Sequence, residues 1–415
     1  MVLFATLWSP AHADDGVTIR VRVQEQGVGD TKTPLPKVKI SVLDAGGAEV
    51  VSGVTDNKGV AALKLPKRAD VTVRLDESTL PSGAALSEQT PAERKVKADD
   101  FITATLNVNY FVGEAKQDTA SWWARLAQRA ADGTRLGLIL AMCAVGLSLI
   151  FGTTGLTNFA HGEMVTFGGI VACLFNASWG VPLLIAAPIA VVLGGVFGIG
   201  LDRVVFLPLR KKGIGLISQM VVTVGLSIVF RNLFLALWGG RVRQFADFLQ
   251  QSEWRIGPIG VTPRDFTTAL ISLVVLVLVA LALQRTRLGK ATRAVSDNPD
   301  LASSTGIDSQ KIIRIVWFIG GAMAALGGIF RGLDQGVSPD MGGDLLFLMF
   351  AGITLGGLGS PFGALVGGFV VGLFVEMSTM FGVPSELKKV PALVALILML
   401  LVRPQGILGR RDRVG

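Results

Sequence analysis

The chain has 415 residues, 50% of them hydrophobic and 17% charged, with 51 glycines and a net charge of +8. These averages hide two unlike parts: residues 1–134 carry 33 charged side chains of nearly balanced sign, whereas residues 135–415 carry only 37 in twice the length, together with 41 of the glycines. Such depletion excludes a single soluble globule, a disordered chain and a disulfide scaffold. The basic residues of the second part fall in short clusters between apolar runs, which is not the footprint of a nucleic-acid-binding face.

Residues 1–8 are apolar and lead into Ser9-Pro10-Ala11-His12-Ala13, the small-x-small pattern of a cleavage site. A signal peptide over residues 1–15 is expected, with an uncleaved extension as the alternative. Eight apolar residues are in either case too few to cross a bilayer, which needs about 20.

Residues 16–112 alternate in polarity. Val17, Ile19, Val21 and Val23 are spaced by Thr18, Arg20 and Arg22, and the same period of two recurs at Val38–Val42, Val71–Leu75 and 102–110. Turn chemistry lies between these runs, at Asp44-Ala45-Gly46-Gly47, Asp56-Asn57-Lys58-Gly59 and Pro81-Ser82-Gly83. The pattern predicts a small all-β, Ig-like sandwich outside the cytoplasm. Pro34-Leu35-Pro36-Lys37-Val38-Lys39-Ile40 and Thr55-Asp56-Asn57-Lys58-Gly59-Val60-Ala61 resemble the carboxypeptidase-regulatory-like and Cna-B-like sandwich modules, with Lys37 where that family usually has glycine. The resemblance implies a spacer or binding platform, not a catalyst.

Residues 113–134 are expected to form a linker helix at the membrane surface, because Trp122 and Trp123 favour the interfacial layer and Arg125 and Arg129 follow them. Packing of that segment on the sandwich is the alternative.

From residue 135 to 415 apolar runs bounded by charge predict a polytopic all-α membrane bundle of nine passes, or eight if one Gly-rich segment is re-entrant. The passes fall at 136–160, at 164–201 as two, at 213–230, 266–284 and 315–330, at 345–375 as two, and at 390–402. With an exported N-terminus, the segments 203–212, 285–314 and 403–413 lie inside and hold 14 basic residues, against 7 in the opposite loops 239–265, 331–344 and 382–389. That bias follows the positive-inside rule and puts the C-terminus in the cytoplasm. Glycines recurring every four residues, as at Gly359, Gly363 and Gly367, predict close helix crossings.

Scattered ionisable residues within or bordering the apolar runs (His161, Glu163, Asp202, Arg231, Arg331 and Glu376) make neither an enzyme site nor a proton relay. No phosphate-binding loop is present, since Leu288-Gly289-Lys290-Ala291 lacks the upstream glycine and the hydroxyl. A transporter of this kind draws its energy from another polypeptide. Four segments agree. Phe151-Gly152-Thr153-Thr154-Gly155-Leu156-Thr157-Asn158-Phe159-Ala160-His161-Gly162-Glu163, the stretch from Gly289 to Asp308, Gly356-Gly357-Leu358-Gly359-Ser360-Pro361-Phe362-Gly363-Ala364 and Arg403-Pro404-Gln405-Gly406-Ile407-Leu408-Gly409 resemble, in order, the motifs of branched-chain amino acid permeases of ABC importers.

The resemblance implies a bacterial inner-membrane subunit that binds no cofactor itself. It implies two cytoplasmic ATPase subunits that bind the ATP, an external substrate-binding protein and a second permease subunit, usually as a heterodimer. A urea or short-amide permease and a non-transporting receptor with a ligand-binding sandwich are the alternatives. Candidates for the translocation pathway are Asn158, His161 and Glu163 at one Gly-interrupted helix and Gly356, Gly357, Gly359 and Ser360 at the other. A capping network without ligand contact is the other reading of the first group. Asp297, Asn298, Pro299, Ala302, Ser303 and Gly306 are the candidate coupling loop, in which Asp297 or Asn298 caps a short helix over 299–305, Gly306 ends it, and the small residues meet the ATPase.

Overall fold

The computed structural model describes residues 17–26, 32–44, 46–57, 59–81, 86, 91–98, 105–112, 121–248, 251–402 and 406. Residues 1–15, where a signal peptide is expected, residues 113–120 and most of the Arg403–Gly409 motif lie outside the described residues. The chain divides into two units, 1–120 and 121–415.

The first unit is two four-stranded sheets around one core. In chain order the strands are β1 (Val17–Gln26), β2 (Lys32–Pro34), β3 (Lys39–Asp44), β4 (Glu49–Val54), β5 (Val60–Leu65), β6 (Val71–Leu75), β7 (Glu93–Val96) and β8 (Thr105–Val112). One sheet has β1 at its centre, antiparallel to β2 and β5 and parallel to β8; the other runs β4-β3-β6-β7, antiparallel throughout. Alternate residues point inward, so Val17, Ile19, Val21 and Val23 meet Ile40, Val42, Val73 and Leu75 in the shared core. The Tyr110 hydroxyl, on β8, donates 2.8 Å to the Val73 carbonyl of the opposite sheet.

The two motif segments read from the sequence close on one another. Thr55 is buried; its Oγ1 donates to the Leu35 carbonyl at 2.8 Å and accepts from the Val38 amide at 2.9 Å, and the Lys37 amide donates to the Thr55 carbonyl. Lys37 between them has φ = 64°. A side chain in this left-handed region costs about 1 kcal/mol, which gives the physical reason that glycine is usual at this place.

The second unit is helical: α1 (Trp122–Thr154), α2 (His161–Cys173), α3 (Leu183–Leu201), α4 (Leu207–Lys211), α5 (Leu216–Trp238), α6 (Pro263–Arg285), α7 (Arg287–Asp297), α8 (Pro299–Ser304), α9 (Ser309–Gln335), α10 (Met341–Gly356), α11 (Pro361–Met377) and α12 (Val390–Val402). Among the described residues, six helical stretches are long and apolar enough to cross a membrane, namely α1, α3 with α4, α5, α6, α9 and α11 with the turn after it. The remaining three passes expected from the sequence coincide with the shorter apolar helices α2, α10 and α12.

The linker helix expected over 113–134 is described only from residue 121. Its described part is the start of α1, which Ser121 caps at the Ala124 amide and which runs unbroken to Gly155 at φ = 68°. Charge near 125–135 does not stop the helix because it is neutralised from elsewhere in the bundle: Arg135 pairs with Asp265 of α6 and, at 2.7 Å, with Asp334 of α9. Glu376 of α11, buried, pairs with Lys388 at 2.5 Å and Arg129 at 3.7 Å.

Glycine stands at nearly every crossing. Along α1, Gly137 and Ala141 lie against Gly372 and Gly368 of α11, and Gly146 lies against Gly320 of α9. On α9, Ala325 meets Gly168 of α2 and Gly194 of α3; Gly356 and Gly367 join α10 to α11, and Gly162 joins α2 to Gly342 of α10. Backbones touch here because lipid tails supply no hydrophobic drive between helices, leaving dispersion at short range to hold them. The most apolar stretch of α1 is 83% buried, against 11% for α5 and 17% for α6, so α1 is the axis and α5 and α6 form the periphery.

Two outcomes follow for the sandwich. Lys37→Gly in the full chain is expected to stabilise it by about 1 kcal/mol, read as slower amide hydrogen exchange across Lys39–Asp44. Tyr110 is the only tyrosine of the chain, and burial pushes its phenol up to about 12. Because the raised group is neutral when protonated, its contribution is complete below the ordinary value of about 10 and is lost as pH rises from there through 12. Phenolate absorbance should therefore be half-developed near pH 12, and a midpoint near 10 would contradict the burial.

Candidate functional site

The break between α1 and α2 arises where Gly155 turns the chain out of α1. Side chains take up amides released there. Asn158 is fully buried and its Oδ1 accepts from the Ala160 amide at 3.0 Å, while Thr223 of α5 accepts from the Phe159 amide at 3.1 Å. His161, also fully buried, donates from Nε2 to the Cys143 carbonyl of α1 at 3.2 Å. Thr166 reaches across to α10 and accepts from the Gly342 amide at 3.1 Å. Asn158 thus caps the break, while its Nδ2 and His161 Nδ1, both buried, have no hydrogen-bond partner among the described residues.

Glu163 is placed differently. It projects from the first turn of α2 toward α5, where Ser227 Oγ donates to its Oε1 at 3.1 Å. Its Oε2 is buried and has no hydrogen-bond partner among the described residues. The side chain, 2% exposed, forms part of the wall of a cavity of ≈ 440 Å³ between α2, α5, α10 and α12. Phe159, Ile228, Leu346, Phe347 and Leu393 make the apolar surface of that cavity. Two ion pairs complete it: Arg231 with Asp340 at 2.6 Å and Lys389 with Asp344 at 2.8 Å. Arg231 and Asp340 are more than half exposed, so they stand at the mouth and Glu163 at the floor.

Of the seven pathway candidates read from the sequence, Glu163 alone lines this cavity. Gly356, Gly357, Gly359 and Ser360 form the α10–α11 turn elsewhere. Gly357 and Gly359 have φ of 106° and 75°, Ser360 caps α11 at the Gly363 amide, and the backbone of Gly359 lies against Phe151 and Gly152 at the end of α1. Gly406, the one described residue of the last motif, packs on Gly357 and Thr354. The turn is a backbone-to-backbone joint.

Beside it, Gly152 approaches Ser296 of α7, and α7 leads into α8. Asn298 caps α8, its Oδ1 accepting from the amides of Asp300 at 3.0 Å and Leu301 at 2.9 Å, with Pro299 in the first turn. The helix ends at Ser304 and the chain turns at Gly306, φ = 88°. Ser303 is tied back to Ser309 and to the Pro299 carbonyl. Ala302, expected to face outward, is 4% exposed and belongs to the core, because the polar caps at both ends of α8 fix its rotation; Leu301 is the residue held out, at 64%.

Ser227, Asp340, Asp344, Lys389 and Phe347 escaped the sequence reading. Each sits near the edge of an apolar run, where a lone charge, hydroxyl or ring carries no local pattern; Glu163 and Arg231, bordering such runs, were the signals available.

Residues 129–402 match the family described as branched-chain amino acid transport system / permease component. The high-affinity branched-chain amino acid transport system permease protein LivH of Salmonella typhimurium is 31% identical over 304 residues, covering 69% of this chain and 96% of the relative. The corresponding protein BraD of Pseudomonas aeruginosa is 30% identical over 299 residues, with coverage of 69% and 96%. A nucleoside ABC transporter permease protein of Lactococcus lactis is 26% identical over 259 residues, covering 57% of this chain and 69% of the relative.

Proposed function

Since the chain belongs to the branched-chain amino acid permease family of transport subunits, we propose that it is the membrane permease of an ATP-driven importer for branched-chain or other small amino acids. The observation that carries this reading is the cavity: a small space with an aliphatic and aromatic wall, a carboxylate at its floor and charges of both signs at its mouth. A zwitterion with an apolar side chain needs those surfaces together, since transferring either charge away from water without a partner is costly.

In this reading an external binding protein delivers the solute at the end of the bundle where Arg231, Asp340 and Lys389 stand. Residues 16–112, an Ig-like module, lie outside the cytoplasm, and 285–314 lies in the cytoplasm. A second permease subunit pairs with this one, and two ATPase subunits supply the energy. They meet α8 through exposed residues such as Pro299, Asp300, Leu301 and Ser303. Movement of α8 then reaches the helices through Ser296 and the glycine joint at Gly152 and Gly359.

The test is uptake of labelled leucine and labelled urea by a strain deleted for the gene and complemented in turn with wild type and Leu301→Glu. Deletion should abolish leucine uptake and spare urea. Wild type should restore it, and Leu301→Glu should restore membrane insertion with less than a tenth of the uptake. Loss of urea uptake instead would give the alternative substrate, and loss of neither would remove transport as the function.

A further inference from the structure

Resting on the permease reading above, we infer that Glu163 is the recognition point for a cationic amino group of the solute, so that the cavity selects amines and amino acids against neutral solutes of the same size. Family membership leaves this open, because the relatives include a nucleoside permease.

The argument begins with what Glu163 lacks. One carboxylate oxygen is held by Ser227 at 3.1 Å, while Oε2 is buried with no partner among the described residues. The adjoining cations are engaged elsewhere: Arg231 with Asp340 and Lys389 with Asp344. An acceptor left unsatisfied in an apolar surrounding costs more than a hydrogen bond returns, and persists where a ligand supplies the missing donor. The neighbours decide which donor fits. Phe159, Leu346 and Phe347 offer no competing polar atom from their side chains, and an ammonium group brings three donors and a compensating charge. A neutral hydroxyl or amide brings donors without charge, and so makes the weaker partner for a desolvated carboxylate. The apolar wall beside Glu163 then takes the aliphatic part of the same molecule. Ser227 is a positioning residue: it holds Oε1, which leaves Oε2 as the unsatisfied acceptor of a side chain that lines the cavity.

The experiment uses the complete complex with its ATPase subunits, purified in detergent and carrying this chain as wild type, Glu163→Gln or Ser227→Ala. Labelled leucine is the probe at equilibrium, with leucinol (amine, no carboxylate) and 4-methylpentanoate (carboxylate, no amine) as competitors. Saturable binding to wild type should be displaced by leucinol and not by 4-methylpentanoate. Glu163→Gln should weaken it by roughly tenfold or more, the scale of a charge-assisted hydrogen bond. Ser227→Ala, which retains the helix and the carboxylate, should weaken it severalfold while the preference for leucinol remains. Equal displacement by the two competitors overturns the inference, as does unchanged affinity in both variants, or a transport-competent wild type without saturable binding. If Glu163→Gln fails to assemble, the competitor pair on wild type and the Ser227→Ala affinity decide. A wild type that imports no leucine in proteoliposomes but imports urea or a nucleoside removes the permease reading itself, which separates that failure from this one.

Discussion

Backbone contact through glycine is the constraint on which the helical unit depends. In water a helix bundle closes because burying leucine and valine removes them from solvent, but a bilayer offers those side chains an equally apolar surrounding. What remains is close approach, and a Cβ at Gly137, Gly168, Gly328 or Gly356 would stand inside a neighbouring backbone. Glycine weakens a helix by about 1 kcal/mol relative to alanine, so its repeated use inside α1, α2, α9, α10 and α11 has to be offset by the contacts it permits. The same constraint shapes the cavity. Gly162 against Gly342 brings the first turns of α2 and α10 together, and these turns carry Glu163 and, one residue before α10, Asp340.

Close packing also leaves no room for waste at the helix breaks. Backbone groups freed at membrane depth must be satisfied by protein. At the α1–α2 break Thr223 and Asn158 take up the Phe159 and Ala160 amides. At the α10–α11 turn, Ser360 caps the second helix and Gly359 lies on the end of α1. The first break therefore ends in a wall of the cavity, and the second ends beside α7. The arrangement connects the cavity to α7 and α8 by way of α1, which both breaks touch.

Much of this was legible in the sequence because it is local. Period-two alternation marked β1, β3 and β6, and the Asn298-Pro299 start with the Gly306 stop outlined α8 to within a residue. Glycine spacing foretold the close crossings. What stayed hidden depends on residues far apart in the chain. Charges at 129 and 135 read as a membrane-surface helix until Asp265, Asp334 and Glu376 are seen to neutralise them. The pairing of Arg231 with Asp340 joins residues 109 positions apart, and no local pattern announces it. Ala302 turned inward because capping sets the rotation of α8, whereas composition alone treats all its small residues alike.

The central claim is that glycine contacts set where the cavity residues stand. It is tested most directly by leucine uptake, normalised to inserted protein, for Gly342→Ala against Gly200→Ala. A methyl group at 342 meets the Gly162 carbonyl and Thr166, whereas at 200, in α3, it meets nothing within 4 Å. The account predicts that Gly342→Ala reduces uptake at least tenfold, the effect of a ~1.4 kcal/mol displacement penalty, while Gly200→Ala transports as wild type does. Equal uptake by the two variants would contradict it.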